Sequence, residues 1–299
     1  MKVVIFGGAG FIGSHLTEFF LKFGHKVVVV DSLITGSFPK KTNNLEFHNF
    51  DVSCVSSDWS ILPKDIDIIY HLAFPTSLCK RDYTTQYIDC CTIGMYKIME
   101  YCNQTCKSII YGSSISVYGQ TQEIPITENT KVDPILFYGA HKFLNEQYLK
   151  IFQEENFIRF EIARIADVFG EGDKRANAIN NFIKGITNGS TITINGDGTQ
   201  IRTYTYVRDI AHALYELSQK KLTNDVFNIV GSEHVTISNL LNQISSELKS
   251  KPKIYFNESQ IDKRNYVFDN SKLISHIGNF EKVGFRNGLI QTIKLSQEL

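Results

Sequence analysis

Val3-Val4-Ile5-Phe6-Gly7-Gly8-Ala9-Gly10-Phe11-Ile12-Gly13 decides the fold: a short apolar run, a cluster of glycines, then the opening turn of an amphipathic segment. Four consecutive apolar residues closed by glycine read as a strand buried on both faces. Phe11 to Phe23 follows with helical period. A strand that turns through glycines straight into a helix gathers free backbone amides, those of Phe11, Ile12 and Gly13, at the positive end of the helix dipole. Such a point suits a phosphate group. Gly7 permits the tight turn, Gly10 lets the backbone approach a pyrophosphate, and Gly13 lets the helix lie close on the sheet. Glycine triplets also make turns that hold no ligand, so the rest of the chain must carry the reading.

Outward from this loop, short apolar runs alternate with segments of helical period. Strands are predicted over Lys26 to Val30, Leu45 to Phe50, Ile66 to His71, Ser108 to Tyr111 and Phe157 to Ala163, and helices over Tyr83 to Asn103 and Phe137 to Glu155. Parallel strands need helical crossovers of this kind, and right-handed crossovers stack them into a doubly wound sheet. The fold class is α/β: a Rossmann-like parallel sheet with a smaller C-terminal α/β portion. Residues 1–168 form the dinucleotide-binding domain on this reading, and 169–299 mainly the substrate-binding portion. That portion holds a helix over Asn177 to Thr187 and short strands near Thr191 to Ile194 and Thr203 to Tyr206, while 207–232, opening on the helix Val207 to Lys220, returns to the first domain.

Asp31 ends the second strand, where a carboxylate can accept hydrogen bonds from the adenosine ribose of a dinucleotide. Its charge would repel a ribose phosphate, which argues for NAD over NADP; the bland alternative is an aspartate capping the next turn. Asp51 and Val52, ending the third strand, are placed beside the adenine. Leu72 and Ala73, after His71 at the end of the fourth, are placed along the middle of the cofactor.

Tyr138 and Lys142 stand four apart on a predicted helix and share one face. An ammonium beside a phenol favours the phenolate, so that the tyrosine can serve as a base near neutrality. Both side chains also border the cofactor on this reading. Ser114 follows the fifth strand at the carboxyl edge of the sheet, where its hydroxyl can steady the oxygen being oxidised or reduced.

Acidic and basic residues balance at 31 each, which gives no field to draw the chain onto nucleic acid or anionic lipid. No apolar run reaches the length of a membrane span. The six cysteines lack zinc-site spacing and are too sparse for a disulfide scaffold, so no metal is assigned and the cytoplasm is the expected location.

These motifs resemble the extended short-chain dehydrogenase/reductase family, and within it the NAD-dependent sugar epimerase/dehydratase branch. The likeness rests on the glycine loop, Asp31-Ser32-Leu33 with Gly36, His71-Leu72-Ala73, Ser113-Ser114-Ile115-Ser116-Val117-Tyr118-Gly119, Tyr138-Gly139-Ala140-His141-Lys142, and Gly196-Asp197-Gly198-Thr199-Gln200-Ile201-Arg202. It implies that Ser114, Tyr138 and Lys142 catalyse, with Ser114 and Tyr138 touching the sugar, and that Arg202 binds the substrate diphosphate. It also implies a homodimer joined through Tyr83 to Asn103 and Tyr138 to Lys150. Dehydratases of the family carry an Asp-Glu pair where this chain has Ile115-Ser116, and the related sugar-acid decarboxylases usually carry glutamate in place of Ser116. What remains is 4-epimerisation of a nucleotide sugar, with UDP-hexose favoured by the likeness to UDP-galactose 4-epimerases; the alternative is 4-keto reduction of a nucleotide-linked 4-keto-6-deoxy sugar. A sensor that keeps the fold without catalysis would be expected to lack part of the Ser, Tyr and Lys set. Asp167 departs from the family's usual asparagine near the diphosphate, and its charge calls for Lys174 or Arg175 as an offset.

Overall fold

The computed structural model describes residues 1–37, 42–75, 88–259 and 265–297. At its centre lies β1 (Lys2–Phe6), flanked on one side by β2 (Lys26–Asp31) and β3 (Leu45–Asn49) and on the other by β4 (Ile68–His71), β5 (Ser108–Ser114) and β6 (Arg159–Ile165). A seventh strand, Asp225–Ile229, adds outside β6. Every neighbouring pair is parallel. This is the α/β, Rossmann-like doubly wound sheet that the alternation of elements predicts.

The continuous apolar runs are explained by burial on both faces. Along β1, Val3 and Ile5 join the core shared with Leu16 and Phe20 of α1 (Phe11–Lys22). Val4 and Phe6 face the opposite core, which Ile98 and Met99 of α2 (Met95–Gln104) and Leu149 of α3 (Phe137–Asn156) complete. Successive side chains of a strand point to opposite faces, so a central strand between two helical layers has no polar side to show.

The second half builds two small sheets. One is β7 (Asp167–Phe169) parallel to β9 (Ile201–Tyr206), with β11 (His234–Thr236) antiparallel on the other side; the second is β8 (Ile192–Asn195) parallel to β12 (Ile254–Asn257). The helix α4 (Ala178–Thr187) packs against β8, and α5 (Val207–Ser218) packs against α1 before the chain enters β10, the seventh strand of the large sheet. Helices α6 (Ile237–Glu247), α7 (Ser271–Ile277) and α8 (Gly284–Gln297) complete the fold.

Some boundaries differ from the sequence reading, with reasons. The fifth strand was expected to end at Tyr111, but Gly112, Ser113 and Ser114 pair with Ala163, Arg164 and Ile165, which makes Ser114 its last residue. Their polar side chains are committed to the site and so break the apolar signal. The sixth strand starts at Arg159, since Phe157 takes a left-handed conformation (φ 56) that closes α3. Of the helix expected over Tyr83 to Asn103, residues 83–87 lie outside the described residues; Cys90–Gly94 forms a wider π turn that runs into α2.

Candidate active site

The strand order reverses between β1 and β4, and a ligand crevice opens where connections leave such a point to opposite sides. The glycine loop sits there. Gly7 has φ +81, and a Cβ on it would lie 2.5 Å from the backbone nitrogen of Ala73; one on Gly13 would lie 2.0 Å from the Gly7 carbonyl oxygen. These two positions exclude any side chain, and they let α1 start against the sheet. A Cβ on Gly10 would meet only the Gly7 carbonyl, at 3.2 Å, and would otherwise enter open space, the cradle that a pyrophosphate needs. The loop therefore fits a dinucleotide on its own geometry.

One cavity at this edge is lined by Gly7, Gly10, Asp31, Asp51, Val52, Leu72 and Ala73, all predicted for the cofactor. Asp31 also performs the turn-capping role that was its alternative: Oδ1 accepts from the Leu33 amide (2.8 Å) and Oδ2 from the Ala9 amide (3.0 Å). A carboxylate oxygen has capacity for more than one donor, so tying the second strand to the glycine loop does not exhaust Asp31. Asp51 Oδ1 accepts from the amide (2.9 Å) and hydroxyl (2.5 Å) of Ser53, which fixes the turn after β3.

A second cavity, of about 420 Å³, joins the glycine loop to the catalytic candidates: Gly10, Phe11, Ile12 and Gly13 line it together with Ser114, Tyr138 and Lys142. Lys142 is 3% exposed, and its Nζ donates to the Gly112 carbonyl at 2.7 Å. The same nitrogen lies 4.3 Å from the Phe74 ring centre, 5.0 Å from that of Tyr111 and 5.9 Å from that of Tyr138. Aromatic faces and a carbonyl thus surround the ammonium beside the Tyr138 ring. Phe74 meets the Tyr138 ring edge to face at 5.1 Å and sets its tilt. Burial, and after it the Lys142 ammonium, pushes His71 down to about 3, so this strand-end histidine is neutral and packs against Tyr111. Ser114 Oγ donates to Ser116 Oγ and accepts from the Ser116 amide, both at 3.2 Å.

Behind these residues runs a buried polar network. Glu146, one turn beyond Lys142 on α3, is 0% exposed and pairs in bidentate fashion with Arg164 of β6 through Nε (3.0 Å) and Nη2 (2.7 Å). Ser113 donates to the same carboxylate at 2.5 Å, Arg164 Nη1 donates to the Tyr118 hydroxyl at 2.9 Å, and that hydroxyl donates to Asn228 of β10 at 2.6 Å. The helix with Tyr138 and the strand with Ser114 are therefore stitched together at successive levels, by Lys142 to Gly112 and by Glu146 to Ser113.

Arg202 stands apart from this group. It lines a separate cavity of about 490 Å³ with Asn177, Thr191 to Asn195, Gln200 and Tyr204. Its Nη1 donates to the Ile201 carbonyl at 2.9 Å and its guanidinium lies over Tyr266 at 5.2 Å. Tyr204 connects the two regions: it lines the Arg202 cavity, and it pairs across the small sheet with Asp167, which lines the catalytic cavity. Arg175 also lines the catalytic cavity; Lys174 does not. Sequence reasoning passed over Phe74, Glu146 and Arg164. The helical spacing Tyr138, Lys142, Glu146 was a usable signal for one of them; the other two depend on contacts between residues far apart in the sequence.

Comparison with known proteins agrees with this geometry. The model of the NAD-dependent epimerase/dehydratase family matches residues 3–230. The chain belongs to that family. A UDP-glucose 4-epimerase of Lactobacillus helveticus is 31% identical over 259 residues, covering 78% of this chain and 77% of the relative. UDP-glucuronic acid decarboxylase 1 of Danio rerio is 30% identical over 318 residues, covering 100% of this chain and 73% of the relative. The crystal structure of UDP-glucuronic acid 4-epimerase from Bacillus cereus, in complex with UDP-glucuronic acid and NAD, matches with a TM-score of 0.89 at 26% identity, covering 100% and 99% of the two chains. As in the sequence reading, the cofactor of this family member is NAD. Among the described residues no helix is long and apolar enough to cross a membrane, and no group of three or more metal-ligating side chains is found.

Proposed function

We propose that this protein interconverts the C4 epimers of a nucleotide sugar, a UDP-hexose, through a transient 4-keto sugar. The observation that carries the reading is the single cavity in which Ser114, Tyr138 and Lys142 meet the glycine loop. The likeness to the Lactobacillus helveticus and Bacillus cereus 4-epimerases supports epimerisation over 4-keto reduction. Bound NAD supplies the hydride acceptor, and then the hydride donor, at sugar carbon 4. Tyr138 takes the proton of the sugar 4-hydroxyl and later returns it to the opposite epimer. Lys142 holds the phenolate by its charge, and Ser114 donates a hydrogen bond to the sugar oxygen as it becomes a carbonyl. Arg202 takes the substrate diphosphate, for a guanidinium fork matches phosphate oxygens.

Residues 1–168 with 207–232 hold the cofactor on this reading, and the remainder holds the nucleotide sugar. The working form is a homodimer, supported by the exposed apolar side chains of Ile88, Tyr96, Leu144 and Ile151 on or next to α2 and α3. Its place is the cytoplasm.

The deciding experiment incubates the purified protein with UDP-galactose, UDP-N-acetylgalactosamine or UDP-glucuronic acid, with no added cofactor, and follows the sugar protons by NMR. Conversion of one of them to its 4-epimer is expected. Loss of the sugar carboxylate from UDP-glucuronic acid would overturn the assignment in favour of the decarboxylase relative. No change in any sugar, even with NAD supplied, would move a 4-ketoreductase ahead.

A further inference from the structure

The segment between β7 and α4 lies against the first helix at two points. The Glu171 carbonyl is hydrogen-bonded to His15 Nε2 at 3.0 Å, and the Arg175 guanidinium lies 5.1 Å from the centre of the Phe11 ring. Phe11 and His15 are neighbours one turn apart on α1, with their rings 6.0 Å from each other. Phe11 is the first residue of that helix, and Arg175 lines one cavity with it and with the glycine loop. It arrives there from the second half of the chain.

The arginine is held in place on one edge. Asp173, whose side chain is 1% exposed, accepts from Arg175 Nε (2.7 Å), from Nη2 (2.9 Å) and from its backbone amide (3.1 Å), and it also accepts from Asn177 (2.8 Å). Nη2 donates in addition to the Val168 carbonyl at 2.7 Å. The remaining amino group, Nη1, has no protein acceptor among the described residues, and the side chain lines the cavity that contains Gly7, Gly10 and Phe11. Asp167 lines the same cavity and would repel a diphosphate, so a cation beside it has a charge to offset.

We propose that Arg175 is a cofactor-binding residue that closes over the pyrophosphate of NAD opposite the glycine loop, and so retains the cofactor through turnover. This rests on the epimerase reading in one respect: an enzyme that oxidises and then reduces the same sugar carbon must keep its reduced cofactor between the two steps. Asp173 orients the guanidinium, and the open Nη1 edge donates to a phosphoryl oxygen.

The test compares wild type with Arg175→Ala and Arg175→Lys in two readouts besides activity: NAD released per protomer on denaturation, and the dissociation constants of NAD and of adenosine for the stripped protein by calorimetry. The alanine variant is expected to weaken NAD about ten- to hundredfold, as loss of a charge-assisted hydrogen bond does. Adenosine binding should be unchanged, and lysine should recover only part of the loss because it lacks the fork. Equal weakening of NAD and adenosine would show that the segment had simply collapsed, and would overturn the proposal. So would an unchanged NAD constant, including the case in which KM for the nucleotide sugar rises, which would reassign Arg175 to the substrate's diphosphate. If the alanine variant does not fold, the lysine variant decides by the same criteria. A wild type that holds NAD but epimerises no sugar would refute the epimerase reading while leaving this test intact.

Discussion

Tyr138, Lys142 and Ser114, the proposed catalytic set, show how much a side chain's chemistry depends on its surroundings. The base role proposed for the Tyr138 phenol depends on the buried ammonium near its ring, and Gly112 offers that ammonium a carbonyl and Phe74 an aromatic face. Replacing Tyr138 with Phe is expected to lower kcat by about 10²- to 10⁴-fold, the range that general acid–base groups contribute, while NAD content stays at the wild-type level. Steady-state kinetics with a paired measurement of bound NAD checks this. Loss of NAD in step with activity would mean that the tyrosine serves binding and not proton transfer. The i, i+4 pair was legible in the sequence; Phe74 was not, because the ring reaches Tyr138 from the loop after β4, and no local pattern marks that approach.

Between elements, the Glu146–Arg164 pair joins α3 to β6 with both partners almost fully buried. Burying two charges is costly unless the geometry is good and the spare donors are satisfied; here Ser113 and Tyr118 complete the set. Glu146→Ala would leave the Arg164 charge buried and uncompensated, at a cost of about 3–5 kcal/mol. Urea unfolding monitored by circular dichroism should show the lower midpoint. A loss no larger than that of an ordinary surface substitution would mean that solvent reaches Arg164. The network also explains why β5 was read too short. Ser113 and Ser114 look like loop in a one-dimensional pattern, since serine hydroxyls favour turns, yet their side chains are occupied by Glu146 and Ser116 and their backbone belongs to the sheet.

On the scale of the whole molecule, α2 and α3 cover one face of the sheet with their inner sides and leave apolar residues on the outer side. Leu144 and Ile151 are two turns apart on α3, and Tyr96 of α2 meets Phe152 edge to face at 6.4 Å beside them. Light scattering is expected to give twice the 34.0 kDa chain mass, and Leu144→Glu with Ile151→Glu should give the single chain. A wild type that runs as a monomer would remove this surface from consideration as a dimer face.

The glycine loop, the six-strand alternation and the tyrosine and lysine spacing are local patterns, each set by steric or periodic constraints that act over a few residues. From these alone follow the doubly wound sheet, the dinucleotide and the sheet edge at which the candidate residues gather. Arg202 shows the limit of such reasoning, for the sequence placed it with the substrate but gave no sign that it lines a cavity distinct from the one that holds Ser114, Tyr138 and Lys142. Arg175 shows the same limit in reverse: its sequence position suggests an offset for Asp167, and only the packing of the 170–177 segment on α1 sets it over Phe11. Local pattern determines which elements form and which edge of the sheet carries the site. The meeting of residues more than a hundred positions apart is decided by tertiary packing, because no backbone periodicity relates them.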